Sequence, residues 1–536
     1  MKKVLFILLL LPFVVNAKEI VFETNVSYGG SESDYITSSL PTDDGGYIMV
    51  GYSDSPQLDG MTNLGYEDAI IVKYDENGTV EWKNIYGGED DDKFTSVALT
   101  QDGGYLAVGE TISPNITGMK EFETYSGIMV KYNSIGEVVW QKYWDYEFSD
   151  HFNEIIALPE GEFVIVGYTD SFPPTPDSSD YQAVILKIKD DGEIVWQKTF
   201  NYSGDDSFES VIATNDNGFV VLGTSDSNDI EGLNSNGETD GIIIKYNENG
   251  EIVWKKNWGG NNYENFYNIS PTSDSGFVIV GDSFSSNIEG ITNEEENNKA
   301  VIIKYNKDGE IQWSKSYHGN NNHSFNDVLI TPGDNIIVVG TFDSDNIENM
   351  PVKGYADALL VLYDKNGNLI LEKSFGGLGS DTYNVALFTK NNNLITLGIS
   401  DSEDIVSDEN VGYEDIIQSK YNIDFELNKT KEENGTFIIE SNGFTGNVKP
   451  NPNEGYEVDK VIVKDSEGNI IEAVKLQDGT YSFELYDDVS VEVLFKQIIE
   501  NPKTGIRNIT GILFTICLCF ISVFLVLKNY NKSCEL

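Results

Sequence analysis

The chain reads as all-β: a seven-bladed β-propeller, a small C-terminal β domain and a single C-terminal transmembrane helix. Three observations predict this. First, a two-strand unit recurs, clearest from Asp240 to Gly260 (DGIIIKYNENGEIVWKKNWGG), where a β-branched run, an Asn/Gly turn and a tryptophan strand make a hairpin. Second, a strand that ends on an apolar residue and then glycine recurs at Gly51, Gly109, Gly167, Gly223, Gly281, Gly340 and Gly398, spaced 58, 58, 56, 58, 59 and 58 residues apart. Third, the first and last segments are complementary fragments of one unit. Glu19–Glu23 matches Glu251–Lys255, a final strand with nothing before it, and Glu414–Tyr421 is a third strand with no fourth after it. Four strands per unit, repeated evenly, predict propeller blades. Residues 19–27 then complete the seventh blade and hide both sheet edges, which would otherwise template aggregation.

Each blade runs A, turn, B, long loop, C, turn, D. In the second, strands A and B flank Gln101-Asp102-Gly103-Gly104. The C–D hairpin recurs from Asp68, Ser126, Gln182, Asp240, Lys299 and Asp357. The short A–B and C–D turns share one face. The B–C loops and D–A crossings share the other, and variable loops on a rigid scaffold are where binding usually resides. The longest B–C loops are Phe172–Tyr181, Ser225–Thr239, Ser283–Asn298, Asp343–Ala356 and Ser400–Tyr413, all acidic and rich in Asn, Ser and Gly.

The segments outside the propeller (18–427) are short. Residues 1–17 read as a signal peptide, with Lys2 and Lys3, an apolar run from Val4 to Val15 and cleavage after Ala17. Residues 428–497 form a small β-rich module, from Gly435-Thr436-Phe437-Ile438 to the strand Val491–Phe495. Residues 498–508 are a linker holding Asn501-Pro502-Lys503-Thr504-Gly505. An apolar run over 509–527 would span roughly 28 Å as a helix, about one membrane thickness. Residues 528–536 are a tail whose Lys528 and Lys532 favour the cytoplasmic side.

Composition narrows function. Lysine plus arginine number 35 against 88 Asp plus Glu, a formal charge of -53. That field repels phosphate backbones, so nucleic-acid binding is not expected. Arg507 is the only arginine, so the repeats offer no bidentate guanidinium clamp. Cys517, Cys519 and Cys534 all lie in the C-terminal tail, so the propeller relies on core burial without disulfides.

The D–A crossings place a carboxylate two residues before an aromatic: Asp92, Asp150, Asp206, Glu264 and Asp381, with Asp34 in that place in the first blade and His323 in the sixth. Such a ring could face the central channel and collect a cation such as calcium. The same spacing fits a turn or cap that starts strand A. The aromatic series Phe22, Trp82, Trp140, Trp196, Trp254 and Trp313 reads as inter-blade packing. His151, His318 and His323 share no motif, and neither a His-Glu-x-x-His helix nor a Gly-x-Ser-x-Gly elbow occurs, so the chain is not expected to be an enzyme. A glycosidase using two channel carboxylates is the enzymatic alternative.

The unit resembles the bacterial surface β-propeller repeat (SBBP) in Gly87-Gly88, Asp92, Asp102-Gly103-Gly104, Gly109, Asp68-Ala69, Lys73-Tyr74 and Trp82. Ile188 after Lys187, Leu362 for lysine and Leu371 for tryptophan depart from it. The module at 428–497 resembles an internalin-type B-repeat, a stalk or adhesion module. The pentapeptide, apolar run and basic tail resemble the sorting signals of Gram-positive sortase substrates, although asparagine stands where leucine is commonest. This resemblance implies cutting between Thr504 and Gly505 and transfer of the Thr504 carbonyl to peptidoglycan. The implied protein is an exported, cell-wall-anchored adhesin that presents a propeller to an extracellular protein or glycan. The other reading is a spacer without a dedicated ligand.

Overall fold

The computed structural model describes residues 19–498 apart from short loop stretches. The signal segment, the sorting motif at Asn501–Gly505 and the apolar run at 509–527 lie outside the described residues. Among the described residues no helix is long and apolar enough to cross a membrane.

Seven four-stranded antiparallel sheets follow one another. Blade 2 is typical: A is Asp92–Leu99, B is Tyr105–Thr111, C is Ser126–Tyr132 and D is Val138–Trp144. Blade 7 takes A, B and C from Asp381–Phe388, Leu394–Ser400 and Asp415–Asp424. Its fourth strand is the first of the chain, Glu19–Tyr28, antiparallel to Asp415–Asp424. The A strands touch their neighbours all round, including blade 7 to blade 1, so the sheets fan about a closed channel.

Every blade is covered on both faces. Strands B and C are therefore buried along nearly their whole length, as continuous apolar runs. The core is divided into seven clusters, one at each blade-to-blade interface. Phe94, Val97, Ile71 and Val130 pack between blades 1 and 2, and Ile36, Met49, Leu387 and Leu397 between blades 7 and 1. The tryptophans of strand D lie over the C–D glycine of the next blade. A Cβ on Gly192 would come within 2.9 Å of Trp140, and one on Gly309 within 2.9 Å of Trp254. The series is inter-blade packing, as expected.

Phe22 departs from that series. In blade 4, Trp254 pairs with Lys245 and Ile252 with Tyr246. In blade 7, Thr24 pairs with Lys420 and Phe22 with Tyr421. Thr24 thus holds the tryptophan place, and the N-terminal strand sits two residues from the register its sequence suggests. A two-residue slip keeps the same face inward. Phe22 gains a stack on Phe375 and an edge contact with Tyr421.

Residues 427–497 build two further four-stranded sheets. One contains Val489–Gln497 paired with Tyr456–Lys464 and, in parallel, with Leu427–Lys429. The other is built on Gly435–Asn442 and Thr445–Pro452. Phe437, Val448, Val463, Phe483 and Val491 share one core.

Candidate functional site

The seven positions Asp34, Asp92, Asp150, Asp206, Glu264, His323 and Asp381 open the seven A strands and are each 0–2 % exposed. None lines the channel cavity. Each acid is turned onto the end of its own strand B. Asp92 accepts from Thr111, from Ser113 Oγ at 2.7 Å and from the Gly88 amide at 2.7 Å. Asp34 accepts from Ser53, Ser55 and Gly30, and Asp381 from Ser400, Ser402 and Gly377. Glu264 uses Ser283 and Gly260. Asp150 and Asp206 take hydroxyls from Thr169 and from Ser225 and Ser227. His323 packs edge-on against Tyr317 and stacks on Phe342. The ring therefore fastens the Gly-Gly crossing to the B–C loop. Burial pushes Asp92 up to about 6 and Asp206 up to about 7 against their hydroxyl donors.

The residues that do face the channel sit three and four places further along strand A. Every A strand carries a β-bulge there, and the bulged residues are Thr37, Thr95, Asn153, Glu209, Tyr267, Asn326 and Asn384. Five of them donate to a main-chain carbonyl of the next blade: Thr37 to Phe94, Thr95 to Phe152, Asn153 to Phe208, Asn326 to Tyr383 and Asn384 to Ile36, at 2.6 to 3.3 Å. The residues after the bulge add ties in the same direction. Glu154 accepts from the Val211 amide at 2.6 Å, and Asp327 from the Ala386 amide at 2.7 Å. Burial pushes Glu154 up to about 7 and Asp327 up to about 6. The cavity they surround holds about 270 Å³. Glu154 and Asp327 thus serve as ties between blades.

At the channel mouth, on the loop face, the residue after each opening acid pairs across to strand B. The seven pairs are Tyr35–Tyr52, Lys93–Glu110, His151–Tyr168, Ser207–Thr224, Asn265–Asp282, Ser324–Thr341 and Thr382–Ile399. Blades 1 to 3 are aromatic and charged. Tyr35 stacks on Tyr52 at 4.7 Å, and Lys93 Nζ lies 4.5 Å above Tyr52 while pairing with Glu67. His151 contacts Glu110 and stacks on Tyr168 at 4.5 Å, with Tyr125 and Tyr181 beside them. The other blades carry smaller polar or aliphatic pairs, with one acid among them, Asp282 of blade 5, which accepts from Asn265 and Tyr267. Beside the crescent a groove of about 1180 Å³ runs between blades 1 and 2, lined by Glu32, Asp54, Glu67, Asp90 and Asp91 and by the rings of Tyr66 and Tyr125. Tyr66, Tyr355 and Tyr413 stand 71 %, 82 % and 74 % exposed in the loops just before strands C. The sequence analysis named this face for its long loops and did not single out these pairs. The signal was a broken repeat: an aromatic or charged residue in blades 1–3 where the later blades have Ser, Asn or Thr.

The family of the outer membrane protein assembly factor BamB matches two overlapping stretches, residues 126–332 and 182–392. The chain is a β-propeller repeat protein. Among solved structures it is similar to YCF48 bound to D1 peptide, at 14 % identity, 76 % of this chain, 95 % of that one and a TM-score of 0.40. It is also similar to the Neurospora crassa Pan2 WD40 domain, at 8 % identity, 75 % and 96 % coverage and a TM-score of 0.43. A Bacteroides caccae protein of unknown function matches at 11 % identity, 62 % and 97 % coverage and a TM-score of 0.35. No curated protein matches. Among the described residues of this propeller, no three of His, Cys, Asp or Glu converge as a metal-binding group.

Proposed function

We propose that this propeller is an exported, wall-anchored recognition protein that binds an extracellular protein or glycan through the mouth crescent of blades 1–3. One observation carries the reading. A sevenfold scaffold needs the same residues seven times for packing, yet at the mouth three consecutive blades depart together toward stacked aromatics and charge. Stacked tyrosines offer rigid contact area at low entropic cost. Anchoring rests on the resemblance of Asn501–Gly505 and the run after it to a sortase signal.

A glycan and surface-protein array probed with wild type and with Tyr168→Ala, Tyr35→Ala and Tyr66→Ala tests the binding reading. Expected are ligands lost in the crescent variants and kept by Trp254→Ala on the far side of the scaffold. Binding indifferent to all three tyrosines would sink the reading, and sugar released during incubation would favour the glycosidase. For the anchor, Thr504→Ala should shift the protein from the wall fraction to membrane or medium. Unaltered wall linkage would remove the sortase claim.

A further inference from the structure

Near the turn face, strand C carries a lysine at one repeated place: Lys73, Lys131, Lys187, Lys245, Lys304 and Lys420, with Leu362 there in blade 6. An ammonium has three donors and no acceptor, so each lysine needs acceptors around it. Lys73 holds two carboxylates at once, Asp44 at 2.8 Å and Glu81 of its own strand D at 2.9 Å. Lys131 also holds two, Asp102 at 2.8 Å and Asp190 at 2.6 Å, the second from the C–D turn of the next blade. Lys304 pairs with Asp274 and turns to Tyr305 O at 3.4 Å, while Lys187 and Lys420 lie closer to water.

Lys245 of blade 4 holds one. Its Nζ donates to Asp216 at 2.6 Å and to Thr214 Oγ1, and no third acceptor among the described residues reaches it. Both sources of a second carboxylate are replaced. Val253 stands where blade 1 has Glu81, and Lys307 of blade 5 stands where blade 3 has Asp190. The Lys245 side chain is only 6 % exposed, so its remaining proton is left inside the protein wall.

That wall belongs to a cavity of about 400 Å³ between blades 4 and 5. Ligand sites run from roughly 300 to 1,000 Å³. Ile212, Val220, Trp254 and Phe277 give it apolar sides, and Lys307 stands at its edge with Asp308. The repeated tryptophan–aromatic pair is spread here. Ring centroids lie 5.6 Å apart for Trp82 and Tyr105 and 5.9 Å for Trp196 and Phe219, with the rings inclined at 59° and 40°. Trp254 and Phe277 are 6.3 Å apart and within 15° of parallel. The polar groups of the rim are spent on one another, Asn215 on Ser275 at 3.1 Å and Thr214 on Asp216. The cavity therefore offers flat apolar walls, few free groups for a hydroxylated body, and one buried ammonium short of an anion.

We propose that this cavity binds a small aromatic carboxylate, its ring against Trp254 and Phe277 and its carboxylate on Lys245 Nζ, in the role that Asp190 plays for Lys131. Lys73 and Lys131 show that a lysine at this place carries a second carboxylate beside the first. Lys307 puts a positive charge where blade 3 supplies a negative one, which favours an incoming anion. A flat ring suits walls of stacked aromatics. The site lies on the turn face and is independent of whatever the mouth binds.

The test titrates the full chain by calorimetry with naphthoate, with its neutral amide naphthamide and with glucuronate. Expected is a single naphthoate site, with the amide and the sugar acid at least about tenfold weaker, since each lacks one of the two contacts. Lys307→Asp copies the blade 3 turn and gives Lys245 its second carboxylate from within the chain. It should weaken naphthoate binding by about tenfold or more while the melting temperature holds or rises. Should that variant not fold, Val253→Glu, which copies Glu81 of blade 1, is read the same way. No binding at millimolar naphthoate, equal affinity for the amide or for glucuronate, or naphthoate affinity unchanged in a folded variant overturns the proposal.

Discussion

Gly223→Ala separates packing from backbone freedom as the reason for the repeated glycine. Gly223 lies in strand B of blade 4 opposite Phe208, one residue before the bulge at Glu209. A Cβ there would lie 2.0 Å from Ser207 O and 3.0 Å from Ser207 C. Carbon and oxygen do not approach below about 3 Å, so strand A must retreat by about an ångström. It has nowhere to go, because Phe208 is fully buried in the core between blades 3 and 4. Overpacking that moves backbone costs about 1–3 kcal/mol, and a weakened A–B ladder bond adds about 1 kcal/mol. We expect about 3 kcal/mol, read as a lower denaturant midpoint at unchanged slope by tryptophan fluorescence. Gly103→Ala is the control. Gly103 has φ +80 with nothing within 4 Å, so an alanine there meets only left-handed backbone strain, about 1 kcal/mol. If Gly223→Ala unfolds within about 0.5 kcal/mol of wild type, or no more easily than Gly103→Ala, the close approach does not set the glycine period.

Two further outcomes follow from the closure and the channel. Removing Glu19–Tyr28 leaves strand Asp415–Asp424 as an open edge, so the truncated chain should self-associate in light scattering and melt earlier. A monomer with an unchanged melting temperature would show that the closing strand is dispensable. Glu154 titrates at about 7 in the fold, and an unfolded glutamate near 4.5, so the folded chain holds its proton to higher pH. Stability should therefore fall as pH rises from about 4.5 through 7 and level off above. Asp327, the charged group that faces Glu154 across the channel, adds the same sign up to about 6. Asp206 and Asp92 act in the same direction, so Glu154→Gln should make that slope shallower without abolishing it, and an equal slope in the variant would place the titration wholly on the other acids.

Much of the architecture was legible because it is repeated. The glycine period reported seven identical close approaches, and the orphan first strand reported the closure. The register of that strand was not legible. Glu19–Glu23 resembles Glu251–Lys255 residue for residue, but a slip of two keeps the same face inward, and the Phe22–Phe375 stack decides between them. The bulges were hidden as well. A polar residue in mid-strand, such as Thr95 or Asn153, looks like ordinary alternation until its hydrogen bond to the next blade is seen. The opening acids were found at the right positions with two directions left open, and packing gives them the turn-and-cap one, because their serine and threonine partners lie 19 and 21 residues away.

The same repetition makes each departure informative, and the bulge ring shows it best. Five bulged side chains tie their blade to the next. Glu209 has no proton to give when ionised, and Tyr267 spends its hydroxyl on Asp282 at 2.7 Å. The ring of donors therefore breaks at two neighbouring places, leaving Phe266 O and Phe325 O without the tie that Phe94 O, Phe152 O and Phe208 O receive. On the opposite face of the first of those interfaces a cavity of about 400 Å³ opens between blades 4 and 5, beside Ile212, Val220, Trp254 and Phe277. A closed ring tolerates such a weak joint because its other interfaces and the N-terminal strand hold the circle. The aromatic mouth lies on blades 1 to 3, where the donor ring is unbroken, so the residues best placed to recognise a partner stand on the most firmly tied part of the scaffold.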